Sequence, residues 1–458
     1  MKRSPPARVG DELEVLAGPW DNTGCARSDV DGWELRAAGA LPGERAVVRV
    51  DAVSRGAPVL FGHRVRTLAD GAVQRRKSPC SVHVRCGGCP LIVSGEGQFA
   101  AKISSGLGSL PAALASTLSE PDAWIRSPRD LGYRHKGALL PDWGRRLKLG
   151  GFARGTHEVV DHAGCSVLAP SLLRAAGAAH KRLDPVLSEG RGGVQPPGDP
   201  GADNALRSLV LRGNRGGQVL LTAVGWSESA RPWLEEALAD AVGDGVDGVH
   251  FQAFGAPGDR VEGPEPTERL AGAGTLREEI AGVELTLRPL AFFQVNPDVL
   301  EGMVGLLRHE LPDRGVLLDL YCGGGALGIS LAAGRPDLRV IGVERDGRAL
   351  ASAGKDARRL GIDATWLEGS PESCAPELPA SPDVVLLDPP RSGLKAAALA
   401  AVLALAPTHI VYVACHGPSL ARDSAAILAA GYRVRRLVPA DMLPQTPHVE
   451  WLAFFERT

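Results

Sequence analysis

The sequence predicts an α/β protein in three parts: a small β-barrel, a mixed, β-rich middle, and a carboxyl-terminal doubly wound parallel sheet. Three observations carry this. The first 66 residues alternate apolar and polar residues with period two; the middle mixes strand-like runs with a Gly- and Pro-rich stretch; from about Phe292 onward short continuous apolar runs alternate with amphipathic stretches. At about 150 residues per domain, 458 residues allow three domains, and the pattern changes place them at 1–68, 69–290 and 291–458.

In the first part, Leu13 and Val15 alternate with Glu12 and Glu14, and Ala46, Val48, Val50 and Ala52 alternate with Val47, Arg49 and Asp51. These are strands of a small antiparallel sheet or barrel, separated by turn chemistry at Asn22-Thr-Gly24, Asp31-Gly32 and Leu41-Pro-Gly-Glu44. A basic run follows, with Arg64, Arg66, Arg75, Arg76 and Lys77 opposed only by Asp70. It suits either contact with RNA or a solvated linker. In the middle part, Leu209 to Thr222 reads as a hairpin around Gly213-Asn214, and Ser188 to Asp203 as an exposed loop.

In the third part the apolar runs Gly315–Leu320, Leu338–Glu344, Asp383–Asp388 and His409–Ala414 are parallel strands buried on both faces. Helices include Leu350 to Leu360 and Ala396 to Ala406, and ligands belong at the carboxyl ends of the strands. Bulk composition names no activity: a formal charge of −2, 44% apolar and 23% charged residues exclude a disordered chain and a strongly basic one, so any RNA-binding face is local. Met1-Lys-Arg-Ser-Pro-Pro lacks the apolar core of a signal peptide, and no apolar run reaches the ~20 residues that span a bilayer, so the expectation is a cytoplasmic protein without a membrane partner. No obligate protein partner is evident from the residues.

Three of the eight cysteines, Cys80, Cys86 and Cys89, fall within ten residues. In a reducing compartment such a group binds metal more often than it forms disulfides, and its spacing suits zinc and iron–sulfur equally. The first parallel strand runs into Asp319-Leu-Tyr-Cys-Gly-Gly-Gly-Ala-Leu-Gly328, where Gly323, Gly325 and Gly328 let the backbone turn tightly beside a helix amino end. The next strand ends in Glu344, an acceptor suited to ribose hydroxyls. The third ends in Asp388-Pro-Pro-Arg-Ser-Gly393 and the fourth in Cys415, within a loop-like Ala414-Cys-His-Gly-Pro-Ser419. Glu450 stands just before an apolar terminal strand, Trp451 to Phe455.

The series Phe292-Phe-Gln-Val-Asn296, Asp319-Leu-Tyr-Cys-Gly323, Asp388-Pro-Pro-Arg391, Cys415 with Ser419-Leu-Ala-Arg-Asp423, and His448-Val-Glu450 resembles the bacterial RNA uracil-C5 methyltransferases. Val9 to about Arg66 is similar to a TRAM domain, an OB-like RNA-binding barrel. Cys80, Cys86, Cys89 and Cys165 resemble the four ligands of the [4Fe-4S] cluster in the members acting on 23S ribosomal RNA, and Tyr133-Arg-His-Lys136 and Gly151-Phe152 with His157 resemble the family's central RNA-facing domain. The resemblance implies a Rossmann-like S-adenosylmethionine methyltransferase domain at the carboxyl end. It implies S-adenosylmethionine held by Gln294, Tyr321, Gly323, Gly325, Glu344 and Asp388, Cys415 as a nucleophile toward uracil C6, and Glu450 as the base. It also implies an RNA substrate, ribosomal rather than transfer RNA.

The chain departs from the family in places. His416-Gly417 stand where Asn-Pro usually follows the nucleophile, Ala326 replaces an Asn after the glycine run, and Leu443-Pro-Gln-Thr-Pro447 replaces the more usual Phe-Pro-His-Thr before the base. Two other readings remain at this point: a non-catalytic iron–sulfur RNA-binding protein of the same fold, and an iron–sulfur oxidoreductase using a dinucleotide on the glycine turn. The oxidoreductase leaves Asp388-Pro-Pro-Arg391 and Cys415 without a task.

Overall fold

A computed structural model describes residues 4–143, 146–194, 204–264 and 266–458. Among these, β1 (Glu12–Leu16), β2 (Ala26–Val30), β3 (Trp33–Ala38), β4 (Arg45–Val53) and β5 (Val59–Ala69) form one sheet in the order β1-β4-β5-β3-β2. Its inner face buries Trp20, Trp33, Leu35, Val48, Val50 and Leu60. Asp31 and Gly32, at φ 51° and 81°, make the tight turn between β2 and β3, where a two-residue hairpin requires both positive. Ala52, expected inside with Val50, is exposed instead: a bulge between the two shifts the register and turns it outward.

The basic run is partly spent on structure. Arg75 donates to the buried Glu44 and to Gly39 O, and Arg76 pairs with Asp130, so neither is a free cation for RNA. The cysteine segment leads into α1 (Gln98–Leu107) and the one-turn α2 (Ala112–Ala115). Phe99, Ile103 and Leu114 from these helices and Leu110 from the turn between them pack on the carboxyl-terminal sheet, not on the middle one.

In the middle part, β6 (Lys136–Trp143), β7 (Leu147–Phe152), β8 (Val159–Asp161), β9 (Gly193–Val194), β10 (Ala205–Gly213), β11 (Val219–Gly225), β12 (Gly248–Ala253) and β13 (Glu268–Gly272) share a sheet ordered β13-β12-β11-β10-β6-β7-β8, with β9 alongside β10. It is packed by α3 (Pro170–Ser188) and α4 (Arg231–Leu238). The expected hairpin is β10 and β11. Of the Gly- and Pro-rich stretch, 195–203 lies outside the described residues. The hairpin of β14 (Leu276–Ile280) and β15 (Val283–Leu287) then leads to the third part.

There, α5 (Pro297–Glu310), β16 (Gly315–Leu320), α6 (Ala326–Ala332), β17 (Leu338–Glu344), α7 (Gly347–Arg359), β18 (Ala364–Glu368), α8 (Pro371–Cys374), β19 (Val384–Leu387), α9 (Ala396–Ala404), β20 (His409–Ala414), α10 (Gly417–Ala429), β21 (Tyr432–Ala440) and β22 (Glu450–Arg457) follow one another. The sheet order is β18-β17-β16-β19-β20-β22-β21, parallel through β20, with β22 antiparallel to both of its neighbours. This is the doubly wound sheet that the sequence predicts, with apolar clusters covering both faces. Because the order reverses at β16, a crevice opens between β16 and β19 at their carboxyl ends. The segment after Cys415 is helical from Gly417, so the expected loop is only two residues long. Among the described residues no helix is long and apolar enough to cross a membrane.

Candidate active site

The glycine turn after β16 is shaped by three positive φ angles, 64° at Tyr321, 55° at Gly323 and 75° at Gly325. Gly325 must be glycine: a Cβ there would stand 2.8 Å from the Trp366 ring and 2.9 Å from Ile329. A Cβ on Gly323 or Gly324 would meet nothing within 4 Å, so a ligand can approach that backbone directly. Asp319, 1% exposed, accepts from Gly328 N at 2.9 Å and fixes the helix start; burial pushes its carboxyl up to about 7. Glu344 accepts from Gly323 N at 3.1 Å and from Asp346 N at 3.0 Å, which ties the end of β17 to the turn.

Gln294, Tyr321, Gly323 and Asp388 line one narrow pocket with Phe293 and Leu327. Gln294 Nε2 donates to Asp388 Oδ2 at 3.3 Å, and in the pocket that side chain has no other bonded partner among the described residues. Four of the six residues expected to hold a cofactor therefore converge. Gly325 and Glu344 stand behind the turn and shape it.

Cys415 and Glu450 meet by strand register. Ala414 of β20 pairs with Trp451 of β22, and the next step of that ladder sets Cys415 against Glu450. Since β22 runs antiparallel, its first residue lies at the edge where its parallel neighbours end, the edge that also carries Asp388. Glu450 is 6% exposed, and burial together with the Asp388 charge pushes its carboxyl up. Burial also raises Asp388. The Cys415 thiol is raised to about 11 by burial and by the Glu450 and Asp388 charges, with Arg391 pulling the other way. A neutral thiol thus rests beside two carboxyl groups that hold protons unusually well.

Cys415 opens onto a cleft of about 320 Å³ whose near wall includes Arg391, His416, His448 and Trp451. The opposite wall comes from the first sheet and α1: Trp20, Asp21, Arg27, Arg36, Ser105 and Ser109. Sequence patterns gave no hint of this wall, because its two sides meet only through long-range folding; Trp20 N donating to Ser105 Oγ at 3.0 Å is one of the ties.

Cys80, Cys86, Cys89 and Cys165 are free, half-buried thiols. Burial drives Cys89 up to about 12, with Cys165, Cys86 and Cys80 each adding to the shift, so the four cysteines lie in one neighbourhood. Cys86 Sγ also lies 3.4 Å from His162 Nε2. Among the described residues no group of three or more His, Cys, Asp or Glu is arranged as it stands to hold a metal ion. By chemistry alone, four cysteines in one neighbourhood are the donor type that thiolate-bound zinc and iron–sulfur groups use.

The methyltransferase small domain family matches residues 301–411. An uncharacterised RNA methyltransferase of Parasynechococcus marenigrum is 30% identical over 98% of this chain and 96% of its own length. Another, from Thermosynechococcus vestitus, is 33% identical over 97% of this chain and 98% of its own. Among solved structures, the Pyrococcus abyssi tRNA (uracil-54, C5)-methyltransferase in complex with S-adenosyl-L-homocysteine superposes with a TM-score of 0.72, covering 97% of this chain and 100% of that one at 22% identity, a likeness of fold.

Proposed function

Since the chain belongs to the RNA methyltransferases, we propose that it transfers a methyl group from S-adenosylmethionine to C5 of a uridine in RNA. The observation that carries this reading is the meeting of Cys415, Glu450 and Asp388 at the sheet edge beside the open glycine turn. Gln294, Tyr321, Gly323 and Asp388 hold the cofactor, with Gly325 and Glu344 shaping its turn. When bound, S-adenosylmethionine supplies an electrophilic methyl group on a positively charged sulfur.

C5 of uracil is a weak nucleophile, and the residues answer that. The Cys415 thiol gives its proton to solvent and the thiolate adds to C6, which leaves C5 electron-rich enough to take the methyl. A proton and a methyl then share C5. Glu450 takes that proton, and the thiolate leaves as the C5=C6 double bond re-forms. The raised carboxyl of Glu450 suits a group that must accept a proton near neutral pH. The target nucleotide enters the cleft unstacked, at a cost of a few kcal/mol that a single-stranded loop reduces.

The four cysteines, in this reading, hold a [4Fe-4S] cluster with a structural task, since methyl transfer needs no electrons. The first sheet serves as a TRAM-like RNA-binding barrel and the middle part as a second RNA-facing domain. Ribosomal RNA is the favoured substrate on the resemblance of the barrel and cysteines. The test is incubation with labelled S-adenosylmethionine and undermodified ribosomal or transfer RNA, followed by nucleoside mass spectrometry. Label in 5-methyluridine supports the reading; label in any other nucleoside, or an unchanged yield from Cys415→Ala, overturns it.

A further inference from the structure

We infer that Gln445 is a positioning residue for Glu450, clamped by Gln98 of α1; the inference rests on reading Glu450 as the base. The strap 441–449 joins β21 to β22, whose ends are already paired as Ala440 with Glu450. A connection between two paired strands needs only about 2–5 residues, so this one is long for its topological task. Its extra length folds onto other segments and is tied there at its middle.

Gln445 is the knot. It is 0% exposed and its φ is 68°, a backbone conformation that a non-glycine residue holds only when its surroundings enforce it. Gln98 Nε2 donates to Gln445 Oε1 at 2.9 Å while Gln445 N donates to Gln98 Oε1 at 3.1 Å, a reciprocal pair. Gln445 Nε2 donates to Asp130 O at 3.1 Å, and Gln445 O accepts from Leu91 N at 3.0 Å. Every polar group of the residue is thus satisfied by segments remote in sequence. Leu91 lies two residues beyond Cys89, so the same contacts join the cysteine segment to the strap.

The remaining ties hold the strap at other points. Lys102, fully buried, pairs with Asp441 and donates to Leu443 O at 3.1 Å, and Tyr133 OH donates to Pro444 O at 2.9 Å. These keep the strap folded when Gln445 loses its side chain. What Gln445 adds is the setting of the strap's second half, Thr446 to Val449, which runs into Glu450; the ladder brings that residue opposite the thiol, and the strap holds the segment from which it enters. The step that depends on this setting is the last one. The C5 proton moves to the Glu450 carboxylate, the C–H electron pair becomes the C5=C6 double bond, and the C6–S bond breaks with its pair returning to Cys415 sulfur. A misplaced carboxylate slows that release more than it slows the earlier addition of the thiolate.

The test uses the full chain, S-adenosylmethionine and the RNA methylated in the assay above. Gln445→Gly keeps the φ without strain and removes the clamp; Gln98→Met keeps the volume and removes the reciprocal bonds. Both should bind S-adenosylhomocysteine within about twofold of the parent and lower kcat by about tenfold, as small misplacements of a reacting group do. Both should also raise the fraction of enzyme trapped as a denaturation-resistant RNA adduct several-fold. Glu450→Gln is run beside them. If Glu450→Gln traps no adduct, the base assignment fails and the inference with it. If Glu450→Gln traps adduct while Gln445→Gly and Gln98→Met do not, the positioning role alone is overturned. Loss of S-adenosylhomocysteine binding in both clamp variants, in proportion to the loss of turnover, also overturns it, because the residues would then serve only the fold.

Discussion

Glu450 stands opposite Cys415 one step beyond the Ala414–Trp451 pair, and after burial its charge is one of the two that help keep the thiol protonated. The same arrangement that brings a base to the site therefore makes the resting nucleophile weak. Neutral carboxyl groups or a nearby cation would weaken that part of the shift, and Arg391 is the side chain that lowers the thiol.

Replacing Asp388 by Asn removes one of the two charges. The expected outcome is that alkylation of Cys415, followed peptide by peptide in mass spectra across a pH series, reaches its midpoint at a lower pH than in the parent. An unmoved midpoint would mean that Asp388 does not act on the thiol.

Stability should also depend on Glu450. Burial and Asp388 raise its carboxyl from the ordinary 4.5 to about 8 in the folded chain, so the folded state binds the extra proton and stability falls as pH climbs through that interval. Glu450→Gln abolishes this loss. Its thermal midpoint should gain on the parent's as pH rises from about 4.5 to about 8 and then stay level; a gap independent of pH contradicts the raised carboxyl.

For catalysis, Glu450→Gln should reduce multiple-turnover methylation by about 10²–10⁴-fold, the range for a lost general base. The KM for S-adenosylmethionine should hardly change, because Glu450 is not among the residues of the glycine-turn pocket. A KM that rises with the loss of rate would assign Glu450 to the cofactor instead.

The buried pair Lys102–Asp441 gives a stability test. Lys102→Met leaves Asp441 without its cation and should destabilise the chain by about 3–5 kcal/mol in urea unfolding. Lys102→Met with Asp441→Leu should recover most of that. Failure to recover would show that the lysine matters through Leu443 O and the Phe99 ring, its other neighbours.

At the cysteines, anaerobically purified protein should be brown and contain about four irons per chain, as a [4Fe-4S] cluster requires. Cys89→Ser, which removes one of the four proposed ligands, should lose colour and iron. Zinc in a colourless preparation would decide for the other metal.

Sequence patterns made the carboxyl-terminal sheet legible because strands buried on both faces must be continuously apolar, and the ends of β16, β17, β19 and β20 fall where those runs stop. Two strands escaped that logic. β18 lies at the sheet edge and is half-buried, and β21 interleaves Arg433, Arg435 and Arg436 with its apolar residues. The chemistry-bearing positions Gln294, Asp388, Cys415 and Glu450 were named from motifs, and the fold gathers them. Lys102 and Gln98 were invisible, since one buried Lys or Gln in an amphipathic helix looks like a solvated one until its distant partner is known. Ala52 shows the opposite error, an alternation carried one residue too far across a bulge.

The cleft over Cys415 has one wall from residues 20–36 of the first sheet and another from the carboxyl-terminal sheet, at opposite ends of the chain. On the proposed function, recognition and reaction would be carried on separately replaceable parts. Substitutions at Arg27 or Arg36 would then change which nucleic-acid loop is admitted while Cys415, Asp388 and Glu450 stay as they are, so target choice could drift during evolution, or be redirected by grafting another sheet, without rebuilding the proposed reaction centre.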